Sequence, residues 1–238
     1  MMQAIILCGG FSTRLGEMTQ TVPKILLNVR GQTVLDWQID LLKPAGVTEV
    51  ILASGHLHDV LYKTVGESYG GMRIRYAKEE KKLDTGGAVK RAMRYVSTSP
   101  FFVLNGDILL KNFSPSQMLK HFQPEIDGLL LGVRVEDIRP YGEIVSDNQG
   151  KITAFREKQP ISRSGYINGG VYLFNQSIAT HFPEREVFSL ERNVFPYVPN
   201  LYVFKPEIEW IDIGVPERLA YARQNFSRRG KFDSDRVL

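Results

Sequence analysis

A glycine-rich loop that ends in an arginine follows the first apolar run of the chain. The apolar run covers residues 4–8, and the loop covers residues 9–14, Gly-Gly-Phe-Ser-Thr-Arg. Glycines let backbone N–H groups approach a ligand closely, and consecutive N–H groups form a nest for anionic oxygens. Arg14 adds a guanidinium fork that matches phosphate geometry. The loop indicates phosphate binding, but Ser12 and Leu15 break the familiar phosphate-loop patterns, so an ordinary strand-to-helix turn also explains it.

Lys24 is a second candidate cation. It follows Pro23 and precedes three apolar residues, 25–27. A compact ammonium at this position would suit a phosphate. A lysine between apolar residues is also typical of a surface side chain that extends its ammonium to solvent, and by itself Lys24 favours that interpretation.

Two aspartates are candidate metal ligands. Asp107 follows the apolar run 101–104 in the turn Asn-Gly-Asp, and one or two carboxylates plus substrate phosphates form a typical Mg²⁺ site. A plain turn is the alternative, because Asn, Gly and Asp favour turns. Asp212 lies between Ile211 and Ile213, where a carboxylate is costly unless it is paired or binds a metal.

The elements that would position these residues alternate in the first half of the chain. Strands are predicted at 4–8, 50–53, 72–77 and 101–104, and helices at 33–42, 59–69 and 85–96. This alternation predicts right-handed crossovers and a mainly parallel sheet. Ligands of such sheets bind beyond the carboxyl ends of the strands, where the loop at 9–14 and Asp107 both lie.

The second half is richer in strands. Strands are predicted at 129–135, 142–146, 151–155, 170–174 and 201–204, helices at 188–195 and 216–226, and a hairpin turn at 147–150. We expect both halves to share one sheet. The predicted fold class is α/β, with a Rossmann-like, mixed but mainly parallel sheet flanked by helices.

Composition narrows the classes of protein. With 43% hydrophobic and 24% charged residues, the 238-residue chain fits a folded globular domain and not a disordered or fibrous protein. One cysteine excludes an internal disulfide framework and suits a reducing cytosol, and no apolar run has the length of a membrane span. The net charge of +4 is too diffuse to indicate nucleic-acid binding, and we treat the basic tail at 227–238 as solvated.

Seven stretches in a fixed order resemble the sugar-1-phosphate nucleotidyltransferases. They are residues 7–15 with Pro23 and Lys24, then 83–88, 104–107, 141–142, 155–158, 168–172 and 210–216. The resemblance is to the short members that make GDP-activated mannose or heptose. It implies one domain over 1–226, with a nucleotide-binding half at 1–110 and a sugar-binding half at 111–226.

The resemblance also implies roles for single residues. The catalytic groups would be Arg14, Lys24, Asp107 and Lys158, and Mg²⁺ would be held by Asp107 and Asp212. The nucleoside triphosphate would contact Leu7, Gly9, Gly10, Thr13, Arg14, Thr85, Gly86 and Asn105. The sugar 1-phosphate would contact Gly142, Glu157, Lys158, Asn168 and Gly169.

Several residues depart from the family pattern. Ser12 replaces a usual glycine, so we expect more ordinary backbone dihedrals in the phosphate loop. Asp84 also replaces a glycine and would place a carboxylate beside the base pocket. Ile25 and Val215 replace a usual proline and threonine. The departures at Ser12 and Asp84 leave the choice of nucleotide open.

The implied reaction is attack of a sugar-1-phosphate oxygen on the α-phosphorus of a nucleoside triphosphate, releasing pyrophosphate. The best match is GTP with a manno-configured hexose or heptose 1-phosphate, as a precursor of cell-surface polysaccharide. The alternatives are uridylyl, thymidylyl or cytidylyl transfer to glucose 1-phosphate, or a non-catalytic subunit that binds sugar nucleotides. The resemblance implies a cytoplasmic protein with no nucleic-acid or membrane partner, and it leaves room for a homodimer.

Overall fold

Fourteen strands occur in residues 2–226, which are the residues that the computed structural model describes. The basic tail predicted at 227–238 lies outside the described residues. The strands are β1 (Met2–Leu7), β2 (Asn28–Val29), β3 (Gln32–Thr33), β4 (Val47–Ser54), β5 (Ser68–Tyr69), β6 (Met72–Lys78), β7 (Phe101–Asn105), β8 (Ile108–Lys111), β9 (Gly128–Val135), β10 (Glu143–Ser146), β11 (Ile152–Arg156), β12 (Gly165–Phe174), β13 (Leu201–Phe204) and β14 (Glu209–Asp212).

One central sheet runs through both halves of the chain, as predicted. Among the described residues it has ten strands, and its main path is β11-β10-β12-β7-β1-β4-β6-β5. The pairs β1–β4, β4–β6 and β1–β7 are parallel, whereas β12 pairs with β7 and with β9 in the antiparallel sense. The carboxyl ends of the parallel strands therefore meet at one edge, and the second half continues the sheet beyond β7.

Both faces of the parallel strands are buried, which is why the sequence shows continuous apolar runs there. Ile6 and Leu104 belong to a core on one face, together with Leu35 of the first helix. Ile5 and Val103 belong to a second core on the other face. All of these side chains are fully buried.

Six α-helices cover the sheet within the described residues. They are α1 (Val34–Leu42), α2 (His58–Val65), α3 (Asp84–Ala92), α4 (Pro115–His121), α5 (Leu190–Asn193) and α6 (Pro216–Asn225). The prediction at 59–69 was wrong beyond Val65, because Gly66 has φ +68° and ends the helix before the short strand β5. The hairpin turn at 147–150 is confirmed, with Gly150 at φ +83° and its N–H bonded to the Asp147 carbonyl.

Candidate active site

The phosphate-type loop leaves β1 and turns at once into a short 3-10 helix, Thr13–Thr19. Ser12 precedes that helix with φ +51°, in the left-handed region. The expectation of more ordinary dihedrals at Ser12 was therefore wrong. The Ser12 carbonyl accepts hydrogen bonds from the Leu15 N–H (2.9 Å) and the Thr19 hydroxyl (3.2 Å), and these bonds hold the turn. The strain of a non-glycine residue here costs about 1–2 kcal/mol.

Asp107 and Asp212 come together through a two-stranded ribbon beside the main sheet. β14 pairs with β8 in the antiparallel sense, and the register sets Asp212 opposite Ile108. The Ile213 N–H also donates to the Asp107 carbonyl (2.9 Å). Two carboxylates that are 105 positions apart in the sequence are thereby placed side by side.

Each of the two carboxylates has a cationic partner. Lys24 Nζ lies 2.7 Å from Asp107 Oδ2, and Arg218 lies 2.7 Å from Asp212 Oδ2. Burial and the nearby charge of Asp107 raise the pKa of Asp212, although Arg218 and the Gly214 N–H oppose this shift. The site therefore holds two anionic groups close enough to repel each other, with one cation at each.

Gly214 marks the point on which the charged groups converge. A Cβ added there would lie 3.1 Å from Asp212 Oδ1, 3.3 Å from an Arg14 guanidinium nitrogen and 3.7 Å from Asp107 Oδ2. The absence of a side chain at Gly214 keeps this space open. Arg14, Asp107 and Asp212, all singled out in the sequence, thus surround one small volume.

The donor set at this point fits Mg²⁺. Two carboxylates supply hard oxygen ligands, and substrate phosphates and water complete typical Mg²⁺ sites. Between residues 2 and 226 no three His, Cys, Asp or Glu residues converge as a closed metal cage. In such an open site Asp107 and Asp212 would be the two protein ligands, and substrate phosphates and water would supply the rest.

A cavity of about 230 Å³ opens at the carboxyl ends of β1 and β7, next to Lys24 and Asp107. Among the residues implied to bind nucleotide, its lining includes Leu7, Gly9, Gly10, Thr85 and Asn105. The lining also includes Glu79 and Lys82, which the sequence reasoning did not single out. Both follow the carboxyl end of β6, at the same edge of the sheet. Because ligands bind at that edge, their position after a predicted strand would have indicated them as candidates.

Glu79 lies against the backbone of the phosphate loop. A Cβ at Gly9 would lie 2.7 Å from Glu79 Oε1, so a larger residue there would displace this carboxylate. Glu79 Oε2 accepts a hydrogen bond from the Leu83 N–H (3.3 Å), and burial raises the pKa of Glu79. A half-buried hydrogen-bond acceptor thus forms one wall of the cavity.

Thr85 and Gly86 begin helix α3 but make their contacts with the segment around α5. The Thr85 hydroxyl donates to Glu191 Oε2 (2.7 Å), and the Gly86 N–H donates to the Phe188 carbonyl (2.9 Å). A Cβ at Gly86 would lie 2.3 Å from the Phe188 ring. Gly86 therefore fits close packing between α3 and Phe188, and among the described residues its N–H is already bonded.

Asp84 does stand beside the cavity, as expected from the departure at this position. Its φ is +62°, which explains why glycine suits the position. Its carboxylate pairs with Arg192 at 2.8 Å. Arg192 therefore offsets the negative charge that Asp84 brings to the cavity rim.

Asn168 and Gly169 lie in β12, where the ladder with β9 shifts register. The Asn168 side-chain amide donates through Nδ2 to the Tyr172 hydroxyl (2.9 Å), and its Oδ1 accepts from the Gly170 N–H (3.0 Å). The Gly169 carbonyl accepts from the Trp210 indole (2.9 Å). The irregularity in β12 is thus tied to β14, the strand that ends in Asp212.

Glu157 and Lys158 follow the end of β11 and are exposed. Within residues 2–226 no hydrogen bond or ion pair joins either side chain to Arg14, Lys24, Asp107 or Asp212. Gly142 lies across from the base of this segment, since a Cβ there would lie 3.2 Å from the Arg156 carbonyl. The structure therefore groups several of the residues implied to bind nucleotide around one cavity, and leaves Glu157 and Lys158 outside that group.

Comparison with known proteins identifies the family to which this chain belongs. A family model described as nucleotidyl transferase matches residues 3–228. The chain belongs to the nucleotidyl transferase family. The match covers the phosphate-type loop, both aspartates and the sugar-side segments alike.

Two curated relatives of this family member are guanylyltransferases by name. A D-glycero-alpha-D-manno-heptose 1-phosphate guanylyltransferase of Campylobacter jejuni is 34% identical over 220 residues, covering 91% of this chain and 96% of the relative. A mannose-1-phosphate guanyltransferase beta-A of Xenopus laevis is also 34% identical, over 225 residues. The chain spans only 62% of the length of the Xenopus protein.

Solved structures of other proteins have the same architecture. HddC from Yersinia pseudotuberculosis, complexed with GMP-PN, superposes with a TM-score of 0.81 at 28% identity, covering 95% of this chain and all of HddC. A glucose-1-phosphate thymidylyltransferase described as putative, from Bacillus anthracis, gives a TM-score of 0.80 at 21% identity, which shows a shared fold alone. No helix in residues 2–226 is long and apolar enough to cross a membrane.

Proposed function

We propose that the protein transfers GMP from GTP to a manno-configured hexose or heptose 1-phosphate, producing a GDP-sugar and pyrophosphate. The observation that carries the proposal is the convergence of Arg14, Asp107 and Asp212 on the space at Gly214. That space lies next to the cavity that Lys24 and Asp107 line. Such a site brings positive charge and metal-type ligands to one end of the cavity at the carboxyl ends of β1 and β7.

In the proposed reaction an oxygen of the sugar 1-phosphate attacks the α-phosphorus of GTP. A phosphorus–oxygen bond forms, the bond from the α-phosphorus to the bridging oxygen breaks, and pyrophosphate leaves with that oxygen. The nucleophile is already anionic, so no general base is needed. Two anions must approach each other, and catalysis consists mainly of positioning and charge stabilisation.

The residues divide this work by position. The backbone N–H groups of Gly9, Gly10 and Thr13, with the Arg14 guanidinium, would hold the triphosphate and stabilise charge on the departing pyrophosphate. Lys24 would hold the phosphates at the reacting centre. Lys158 would hold the phosphate of the sugar.

Mg²⁺ belongs to the same proposal. Asp107 and Asp212 would hold it, and the cation would neutralise phosphate charge when bound. Lys24, which pairs with Asp107 at 2.7 Å, would be free to hold phosphate when Asp107 binds the cation. Burial and the charge of Asp107 raise the pKa of Asp212, and the cation would offset the part that comes from Asp107.

Glu79 supports the choice of guanine. Guanine presents two N–H donors on one edge, and a single carboxylate accepts both in a paired arrangement. Glu79 offers such a carboxylate in the cavity wall. We expect Glu79→Gln to reduce kcat/KM for GTP by about tenfold, which is the value of one hydrogen bond to a charged group. Equal loss for all four nucleoside triphosphates would contradict this assignment.

The experiment for the whole proposal is a panel of pyrophosphate release assays. GTP, UTP, dTTP and CTP are each paired with mannose 1-phosphate, a manno-heptose 1-phosphate and glucose 1-phosphate in Mg²⁺. Fastest release with GTP and a manno sugar supports the proposal. Release with UTP, dTTP or CTP and glucose 1-phosphate would favour the alternative donors, and binding of GDP-mannose without turnover would indicate a non-catalytic subunit.

The remaining parts of the proposal concern location and assembly. A cytoplasmic location is supported by the single cysteine, Cys8, which suits a reducing compartment. A homodimer stays a prediction, and light scattering of the purified chain would test it.

A further inference from the structure

One buried carboxylate, Glu143, holds both ends of the segment that carries Glu157 and Lys158. Arg163 forms a bidentate pair with it, with both N–O distances at 2.6 Å. Arg156 approaches the same carboxylate at 3.3 Å. The Glu143 side chain is only 10% exposed. The six residues between the two arginines, 157–162, form a strap whose two ends converge on one anion.

Between its anchors the strap has little attachment of its own. Residues 157–162 are all exposed. Within residues 2–226, no hydrogen bond or ion pair involves any of them, whereas the Arg163 carbonyl accepts from the Ile138 N–H (3.1 Å). The two ends of the strap are therefore fixed, and residues 157–162 between them are not bonded to the rest of the described chain. Because the ends are already held in place, moving this short segment onto a ligand costs less conformational entropy than ordering an unanchored loop.

Glu143 also lies among the residues implied to bind the sugar. It directly follows Gly142. In the sheet it stands opposite Arg156 on β11 and opposite Ile167 on β12, next to Asn168. Glu143, which anchors the strap, therefore lies one residue along the strand ladder from Asn168, a residue implied to bind the sugar.

We propose that Glu143 is a positioning residue for the sugar 1-phosphate: it fixes both ends of the strap so that Glu157 and Lys158 close over that substrate. This inference rests on the proposed function. Glu143 itself touches no substrate and acts through Arg156 and Arg163. Those hydrogen bonds and charges hold the pKa of Glu143 below its ordinary value, so the anchor stays ionised near neutral pH.

The chain offers a matched control for Glu143→Gln. Glu49 is also a buried glutamate, 8% exposed, that faces two arginines, Arg73 at 3.6 Å and Arg75 at 3.3 Å. It lies in the first half of β4, away from the carboxyl ends of the strands. Glu49→Gln therefore removes a comparable buried charge without touching the strap.

The experiment measures thermal stability, the GTP dissociation constant and the KM for mannose 1-phosphate in both variants. We expect both variants to lose stability, but only Glu143→Gln to raise the KM for mannose 1-phosphate, by about tenfold, with GTP affinity changed less than about twofold. The double variant E143Q/R163Q should be no worse than E143Q, because the two groups act as one unit. Equal KM values in E143Q and E49Q would overturn the inference.

Limited trypsin digestion tests the anchor separately from turnover, because Lys158 is an exposed cleavage site. We expect faster cleavage after Lys158 in E143Q than in E49Q or the wild type. Equal cleavage rates would overturn the anchor even in a protein with full activity. If the wild type turns over no sugar 1-phosphate, the proposed function fails, and the cleavage rates still decide whether Glu143 holds the strap.

Discussion

Replacing Lys24 by methionine separates the catalytic value of its ammonium from its structural value. Lys24 and Asp107 lie 2.7 Å apart, with side chains 20% and 22% exposed. A hydrogen bond between charged groups contributes about 1.5–3 kcal/mol. Methionine keeps the apolar stem but leaves Asp107 without this partner. We therefore expect K24M to lose about 2 kcal/mol of unfolding free energy, or roughly 4–8 °C in Tm for a domain of this size.

The expected loss of activity is larger. Lys24 lies where negative charge builds up in the proposed transition state, and removing one such group typically lowers kcat by about 10²–10³. The control is Lys111→Met. Lys111 is similarly covered, at 18% exposure, and lies 2.9 Å from Glu209, but Glu209 is 53% exposed. That pair is worth below about 1 kcal/mol, and it lies at the other end of the ribbon from Asp107 and Asp212.

The assay combines thermal unfolding with pyrophosphate release from GTP and mannose 1-phosphate. We expect K111M to keep near wild-type kcat while K24M loses at least about 100-fold. A K24M enzyme whose kcat stays within about threefold of K111M would refute the role given to Lys24, because the ion pair would then be only structural.

Three further predictions follow from the same geometry. Gly214→Ala fills the space between Arg14, Asp107 and Asp212, so kcat/KM should fall by about 100-fold while Tm changes by less than about 3 °C; unchanged kinetics would contradict the site. Asp212→Asn removes a carboxylate whose pKa is raised by burial and by Asp107, so the variant without metal should be at least as stable as the wild type. Mg²⁺ should raise the Tm of the wild type only, and equal Mg²⁺ stabilisation of both proteins would exclude Asp212 as a ligand. The pKa of Glu143 lies below its ordinary value of 4.5 because Arg163 and Arg156 hydrogen-bond its carboxylate. Ionised Glu143 therefore stabilises the fold above pH 4.5, and this stabilisation is lost as the pH falls through the folded-state pKa. The Tm difference between wild type and E143Q should shrink from about pH 6 to about pH 3, and a constant difference would contradict the pairing.

The parallel core and the location of the loops could be predicted from the sequence. Apolar runs such as residues 101–104 are typical of the strands of a parallel sheet, which are buried on both faces. Loops that follow neighbouring parallel strands meet at one edge of the sheet. This reasoning placed Asp107 at the edge where the cavity lies. It needed only local pattern and the geometry common to all such sheets.

The partners of the charged residues could not be predicted. Asp212 was expected to need a pair or a metal, but nothing local identified Arg218, which reaches it from helix α6. Glu143 is an ordinary residue of a predicted strand, and its ion-pair partner Arg163 lies 20 positions away in the sequence. Such pairings depend on how elements pack, and side-chain spacing in the sequence does not encode that packing.

Ser12 and Asp84 show a different limit. Each stands where the resembled family has glycine, and at Ser12 the side chain suggested a changed backbone. Both keep positive φ, +51° and +62°. The surrounding hydrogen bonds determine the conformation, such as those to the Ser12 carbonyl, and a cost of about 1–2 kcal/mol is too small to remodel the loop.

Pyrophosphate release from GTP and mannose 1-phosphate in Mg²⁺, compared with the same assay using UTP and glucose 1-phosphate, tests the central claim most directly. The convergence of Arg14, Lys24, Asp107 and Asp212 beside a cavity walled by Glu79 predicts turnover with GTP at least about tenfold faster. No turnover with any donor and sugar 1-phosphate, in folded protein that has bound Mg²⁺, would contradict the account.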